Sequence, residues 1–151
     1  MKFRNIDHIV ITTQDLEACL HFYADILGME VDQANGRYAV RFGSQKFNIH
    51  TKKAEFLPAA EHPTYGSLDL CLILDSSLDD AVQEITKKGY PILLGPVARH
   101  GALGPMQSIY LRDPDENLVE LASYQKKRKN RAVTCSVSTY CRLPKIHEPA
   151  G

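Results

Sequence analysis

The chain has 151 residues, of which 18 are basic (Lys or Arg) and 18 are acidic (Asp or Glu), so its formal net charge at neutral pH is zero. This length suits one domain, or two small modules that share a core. A balanced charge does not indicate a general attraction to nucleic acid or to an anionic membrane, and we expect neither as a partner. The amino terminus, MKFRNIDHIV, lacks the features of a signal peptide, and no apolar run is long enough to cross a bilayer. The default prediction is a cytoplasmic protein.

The first half of the chain predicts one strand, one helix and three further strands. Apolar residues alternate in the strands, recur at helical spacing in the helix, and are separated by turn residues such as Asn35-Gly36. The predicted elements are a strand at 6–12, a helix at 16–27 that ends at Gly28, and strands at 29–33, 38–42 and 46–50.

The second half repeats this plan after a connector at residues 51–66. The predicted elements are a strand at 68–74, a helix at 78–88 that ends at Gly89, and strands at 90–94, 107–111 and 118–122. The segment GPVARHGALGPM is predicted to be a loop. An internal repeat of this kind constrains the fold strongly. It predicts an α+β protein of two βαβββ modules, at about 4–52 and 66–124.

The character of the chain changes after residue 124. The run QKKRKNR is basic, and the residues that follow show no sustained period of either kind. We expect residues 125–151 to form a disordered tail. Nuclear targeting or nucleic-acid contact is the functional alternative for this run, and a solvated charge run is favoured because the whole chain is uncharged.

Side chains that are able to bind a metal fall on the opening and closing strands of both predicted modules. Each lies opposite the most apolar stripe of its own strand, because side chains alternate between the two faces. If each sheet packs its helix on one face and curves around a cleft on the other, all of them enter that cleft. The candidates are His8, His50, Asp69 and Glu120.

Two imidazoles and two carboxylates suit a divalent first-row metal such as zinc, nickel, manganese or iron(II). Such an ion polarises substrate oxygens, and a carboxylate that leaves the ion is able to act as a general base. Taken singly, each residue has the plainer interpretation of a hydrogen-bonded or solvent-facing side chain. The repeat that relates the four favours a shared metal site.

The sequence resembles the vicinal oxygen chelate superfamily, which includes glyoxalase I, fosfomycin-resistance proteins, extradiol dioxygenases and bleomycin-binding proteins. The resemblance covers residues 4–124 and is carried by the opening DHIVITTQDLEACLHFYADILGMEV and the ending YLRDPDENLVEL. More narrowly, KFNIH, HPTYGSLDLCLI and GPVARHGALGPMQSIYLRDPDENLVEL are similar to the glyoxalase domain-containing protein 5 group and its bacterial glyoxalase-like relatives.

The resemblance implies two βαβββ modules that form a curved, half-open barrel around a metal. It implies that His8 and Glu120 are metal ligands, with Glu120 the candidate catalytic base. His50 corresponds to an acidic or amide-bearing ligand of glyoxalase I enzymes, and Asp69 to a position where many members place a second histidine. Members of the superfamily often dimerise, sometimes by exchanging modules, so the resemblance implies a homodimer.

The function we expect is a metal-dependent, glyoxalase-like lyase or isomerase that acts on a small oxygen-chelating molecule, such as a thiol adduct. The alternatives are an iron(II) extradiol-type dioxygenase and a non-catalytic module that sequesters a small molecule. Arg99, in the predicted loop, is a candidate clamp for an anionic substrate group. Lys46 and Asn48, beside His50, are further candidates for substrate binding.

Overall fold

The computed structural model describes residues 1–124, which form two four-stranded sheets. The strands of the first sheet lie in the order β1-β4-β3-β2, and those of the second in the order β5-β8-β7-β6. In each sheet the opening and closing strands of the module are parallel neighbours, while the other pairs are antiparallel. The strands are β1 (His8–Thr12), β2 (Glu30–Ala34), β3 (Arg37–Phe42), β4 (Gln45–His50), β5 (Asp69–Ile73), β6 (Leu94–Gly101), β7 (Gly104–Arg112) and β8 (Leu118–Tyr124).

The predicted α+β fold of two βαβββ modules is therefore confirmed. The prediction of a disordered tail concerns residues 125–151, which lie outside the described part of the chain.

Both helices begin at the capping side chains that their sequences provide. Asp15 caps α1 (Leu16–Leu20), which continues as a π-helical turn over His21–Ile26, and Ser77 caps α2 (Leu78–Lys87). In each case the side-chain oxygen accepts a hydrogen bond from a first-turn N–H, which satisfies one of the donors that a helix start leaves unpaired. Neither helix within residues 1–124 combines the length and the apolar character that a membrane-spanning helix requires.

One apolar core is built from both modules. The Phe22 ring packs 5.1 Å from that of Tyr90, so the first helix contacts the second module directly. Lys88 Nζ donates to the backbone carbonyl of Ile26 at 2.9 Å. The fully buried apolar side chains come from both modules and include Ile11, Cys19, Phe22, Tyr23, Val40, Ile109, Leu111 and Val119.

The turn before β8 joins the modules through a buried polar network. Tyr23 Oη donates to Asp113 Oδ2 at 2.9 Å, and Asn117 Nδ2 donates to the same oxygen at 2.8 Å. The backbone N–H of Gln14 donates to Asp115 Oδ1 at 3.0 Å. Burial raises the pKa of Tyr23, which keeps its hydroxyl protonated as a donor. Asp113 and Asp115 thus hold the turn in shape and attach the first module to it.

The prediction of a strand at 90–94 followed by a loop is wrong. The structure instead has β6 (Leu94–Gly101), which pairs with β7 (Gly104–Arg112) as a hairpin. The register shifts between Leu94 and Val97, at the position of Pro96. Because proline has no N–H to donate, an irregularity on the edge of a sheet is where a strand accepts it.

Candidate functional site

Each sheet has one buried face and one open face, and the four candidate metal ligands lie on the open faces. Ile11, Phe47 and Val119 are no more than 5% exposed, and they alternate along their strands with the candidates. The alternation of the sequence therefore predicted the correct strand face for all four candidates. These are His8, His50, Asp69 and Glu120.

The registers show which positions of the two modules correspond. Asp69 opens β5 opposite Leu118, and Glu120 lies two residues further along β8. His8 is the first residue of β1 and pairs with Lys46 on the neighbouring strand β4. Two residues further along β4 is Asn48. The residue that corresponds to Glu120 in the first module is therefore Asn48, and the predicted histidine lies two residues beyond it.

His8 and His50 lie at opposite ends of their paired strands. His8 pairs with Lys46, whereas His50 pairs with Thr12, four residues further along. At about 3.3 Å per residue, the two histidines of one chain are separated by roughly 13 Å along the sheet. Since side chains stand nearly perpendicular to a sheet, these two imidazoles do not reach a common ion.

Glu120 lies on the open face of the second sheet, directly opposite Cys71. Its Oε1 atom is buried and has no hydrogen-bond partner among residues 1–124. Burial, and then the negative charge of Glu120, raise the pKa of the Cys71 thiol to about 11. At neutral pH the carboxylate therefore lies beside a protonated thiol, and one of its oxygens lacks a partner.

His8 and Asp69 line the same opening between the edge strands of the two sheets. This cavity has a volume of about 440 Å³ and is also lined by Lys46 and Cys71. His8 Nδ1 lies 2.7 Å from Asp7 Oδ1, and this hydrogen bond lowers the pKa of the Asp7 carboxyl. A carboxylate on one ring nitrogen is the arrangement that orients a metal-binding histidine.

The donor types fit a divalent metal ion, but the described part of one chain does not bring them together. Within residues 1–124, no three side chains of His, Cys, Asp or Glu lie close enough together to hold an ion. Imidazole and carboxylate suit a first-row divalent metal, and the unpartnered Glu120 oxygen suits a ligand role. Each module thus presents part of a donor set on its open face.

The three predicted substrate-binding residues lie in two different places. Lys46 and Asn48 line a second cavity of about 300 Å³ on the open face of the first sheet, together with His50. Arg99 lies on β6, where its Nε donates to Tyr110 Oη at 2.8 Å and its Nη1 donates to the carbonyl of Ala98. Arg99 thus lies on an edge strand, and not in the loop that the sequence predicts.

Two residues of the 300 Å³ cavity did not emerge from the sequence. Arg37 points to the open face of β3, and its guanidinium carbon lies 4.2 Å from the centre of the Phe56 ring. The alternation of side chains along β3 could have shown that Arg37 lies on the open face. Phe56 belongs to the connector between the modules, where no period indicates the direction of a side chain.

The fold is an α+β scaffold of two modules with carboxylate and imidazole side chains on its open faces. Residues 5–121 match the family model described as the Glyoxalase/Bleomycin resistance protein/Dioxygenase superfamily. The chain belongs to this superfamily. Its members often use divalent metals, and they include enzymes such as lactoylglutathione lyase.

The chain is similar to two curated proteins. It is 48% identical over 126 residues to the glyoxalase domain-containing protein RDO1 of Mycosarcoma maydis, covering 83% of this chain and 71% of that protein. It is 46% identical over 125 residues to virulence protein STM3117 of Salmonella typhimurium, covering 82% of this chain and 87% of that protein.

Solved structures support the same assignment. The crystal structure of STM3117 superposes with a TM-score of 0.79 at 44% identity, covering 83% of this chain and all of that one. Lactoylglutathione lyase from Agrobacterium tumefaciens superposes with a TM-score of 0.64 at 22% identity, covering 81% of this chain and 95% of that one. The second likeness shows the fold alone.

Proposed function

We propose that this protein is a metal-dependent, glyoxalase-like lyase or isomerase for a small molecule with adjacent oxygens, such as a thiol adduct. The observation that carries the proposal is the buried, unpartnered Oε1 of Glu120 on the open face of the second sheet. A buried carboxylate oxygen without a partner is costly. A bound cation or a substrate proton would remove that cost.

His8, Asp69 and Glu120 are the residues that would hold the metal, with the amide oxygen of Asn48 as the fourth donor. His50, which the sequence favoured, is replaced in this set because Asn48 corresponds to Glu120 in the repeat. The ion would be zinc, nickel, manganese or iron(II), and when bound it supplies Lewis-acid polarisation of substrate oxygens.

The donor set requires two copies of the chain in this proposal. Val10 and Ile73 are 41% and 52% exposed on the open faces that also carry His8 and Asp69. Their strands, β1 and β5, are edge strands of their sheets. Exposed apolar edge strands favour association, and a homodimer would bring the half-set of one copy to that of the other.

Glu120 is the proposed base. Its position beside the uncharged Cys71 thiol leaves one oxygen available for the substrate. In an isomerisation, this carboxylate would remove the proton from the hydroxyl-bearing carbon and return it to the adjacent carbonyl carbon. The hydroxyl proton would pass to the former carbonyl oxygen, so that the hydroxyl and carbonyl groups exchange places. Such a proton transfer contributes about 10²–10⁴-fold to a rate.

The proposal is tested by turnover of a thiol hemithioacetal with each candidate metal in turn. We expect Glu120→Gln, which keeps the shape of the side chain and removes the base, to lower kcat by about 10²-fold or more. Glu84→Gln, on the exposed face of α2, is the matched control and should retain full activity. Equal kcat values for wild type and Glu120→Gln would overturn the role of this residue.

The alternatives make different predictions. An iron(II) dioxygenase needs two histidines and a carboxylate on one face, and the separation of His8 from His50 disfavours that arrangement in one module. Oxygen uptake with catechols after anaerobic iron reconstitution tests it. A non-catalytic binding module predicts ligand binding that survives both metal removal and Glu120→Gln.

A further inference from the structure

We propose that the open face of the first sheet binds an oxyanion of the substrate, a carboxylate or phosphate group, at Arg37. This inference deepens the proposed function, because the oxyanion would belong to the molecule that the same site converts. The site is the 300 Å³ cavity described above, which is here named the Arg37 cavity.

A small residue makes room for the ligand. Ala39 lies in the centre of this face, with Asp32 opposite it on β2 and Asn48 opposite it on β4. Ala39 is 5% exposed, so its methyl group forms the floor of the Arg37 cavity. Longer side chains on both sides of this floor leave a hollow large enough for a small organic anion.

The charges that line the hollow favour an anion. Asp32 is its only carboxylate among the described residues, and that group accepts a hydrogen bond from Arg41 Nη1 at 3.1 Å. Arg37 and Lys46 form no ion pair within residues 1–124. Arg37 therefore faces the hollow without an ion-pair partner from this part of the chain. Lys46 lies near enough to Asp7 for its charge to add to the His8 hydrogen bond in lowering the pKa of that carboxyl.

Phe56 holds Arg37 in a useful position. Its ring lies against the guanidinium group at 4.2 Å and meets the His50 ring at 5.1 Å, nearly edge to face. Stacking occupies the face of the guanidinium and leaves its N–H groups at the edge, where they match the spacing of two oxyanion oxygens. Phe56 thus forms a wall that limits the rotation of Arg37 and gives an apolar contact beside the charge.

Lys46 connects this hollow with the opening that contains His8. Its side chain lines both the Arg37 cavity and the 440 Å³ cavity of His8 and Asp69. Lys46 pairs with Arg41, four residues from Arg37 on β3. A molecule whose oxyanion is bound at Arg37 would therefore extend along the hollow towards Lys46 and His8. The Arg37 cavity would determine which molecules the site accepts.

The experiment is an NMR titration of the metal-free full chain with three probes of similar shape: benzoate, phenyl phosphate and neutral benzamide. We expect the anions, and not benzamide, to shift amide signals of β3 and β4. The anion that binds with the higher affinity identifies the oxyanion as a carboxylate or a phosphate. Arg37→Gln should weaken that binding about tenfold or more, the loss expected for a charge-assisted hydrogen bond, and Lys46→Gln should weaken it less. Arg37→Lys should recover part of it.

Lys87→Gln, at the exposed end of α2, is the control and should bind like wild type. Shifts that are equal for benzamide, or anion affinity that is unchanged in Arg37→Gln, would overturn the inference. Metal content is measured separately on the same proteins and should be retained in Arg37→Gln. Absence of metal from the wild type with anion binding intact would instead contradict the proposed function alone.

Discussion

At the scale of the residue, Glu120 and Cys71 form the most informative pair of the second module. They lie opposite each other on paired strands, and burial together with the charge of Glu120 raises the pKa of the Cys71 thiol. The alternation of the strands sufficed to predict that Glu120 faces away from the core. Its unpartnered oxygen was not predictable, because burial of a single atom depends on packing between strands that are distant in sequence.

The Cys71 thiol should react slowly with iodoacetamide despite its exposure. Burial and the Glu120 charge both disfavour the thiolate, which raises the pKa to about 11. At pH 8 the alkylation rate should therefore be about a hundredfold below that of a thiol with a pKa of 9, because only the thiolate reacts. Mass spectrometry of the Cys71 peptide measures the rate in metal-free protein.

Glu120→Gln removes the charge but not the burial, so it should increase the Cys71 rate several-fold, with Glu84→Gln unchanged. Identical rates in wild type and Glu120→Gln would show that the carboxylate has no influence on the thiol.

The other residue predictions were less accurate because the sequence does not give the register of the paired strands. His50 is a plausible ligand by type and by face, but the pairing of β1 with β4 places it about 13 Å along the sheet from His8. Alternation gives the face of a strand, and only the register gives the position along it. The Arg37 cavity was missed for a related reason, since Phe56 reaches it from an irregular connector.

At the scale of the element, local signals identified most strands and both helices. The helix ends at Gly28 and Gly89 and the Asn35-Gly36 turn are determined by nearby residues, and these predictions match the structure. The β6–β7 hairpin was missed because Gly and Pro residues imitate a loop. β6 is a strand because it pairs with β7 at the edge of the sheet, and the residues of β6 alone do not predict that pairing.

Two glycines of similar backbone conformation should differ in how much an alanine costs. Gly36 and Gly66 have φ values of 71° and 64°. A Cβ at Gly36 meets no atom within 4 Å, so Gly36→Ala should lower the free energy of unfolding by about 1 kcal/mol through backbone strain alone.

A Cβ at Gly66 would overlap the backbone carbonyl of Asp115, so Gly66→Ala should cost roughly 3 kcal/mol. Urea denaturation compares the two variants with wild type. A smaller loss for Gly66→Ala than for Gly36→Ala would contradict the close packing of the connector against the turn before β8.

At the scale of the whole molecule, the two modules share a core and leave their open faces uncovered. The internal repeat predicted the modules, and the family resemblance predicted a homodimer. The homodimer and the cytoplasmic location stay predictions. Apolar side chains on the open faces are the structural feature that favours a second copy.

Ile73→Glu should convert a dimer to a monomer, because it places a charge on the exposed open face of β5, the strand that begins at Asp69. Sedimentation velocity of the full chain measures the mass. Leu103→Glu, at the exposed tip of the β6–β7 hairpin, is the control and should leave the mass unchanged. A wild-type chain that sediments as a monomer at all concentrations would contradict the two-copy site.

The metal content of the purified protein tests the central claim most directly. Elemental analysis without chelator should give near-stoichiometric divalent metal for the wild type, and a loss of that metal in His8→Ala and in Glu120→Ala. His21→Ala, on the exposed side of the first helix, is the control and should retain it, as should His50→Ala. Absence of metal from the wild type, even after reconstitution, or its full retention in Glu120→Ala, would contradict the account of a metal-dependent site.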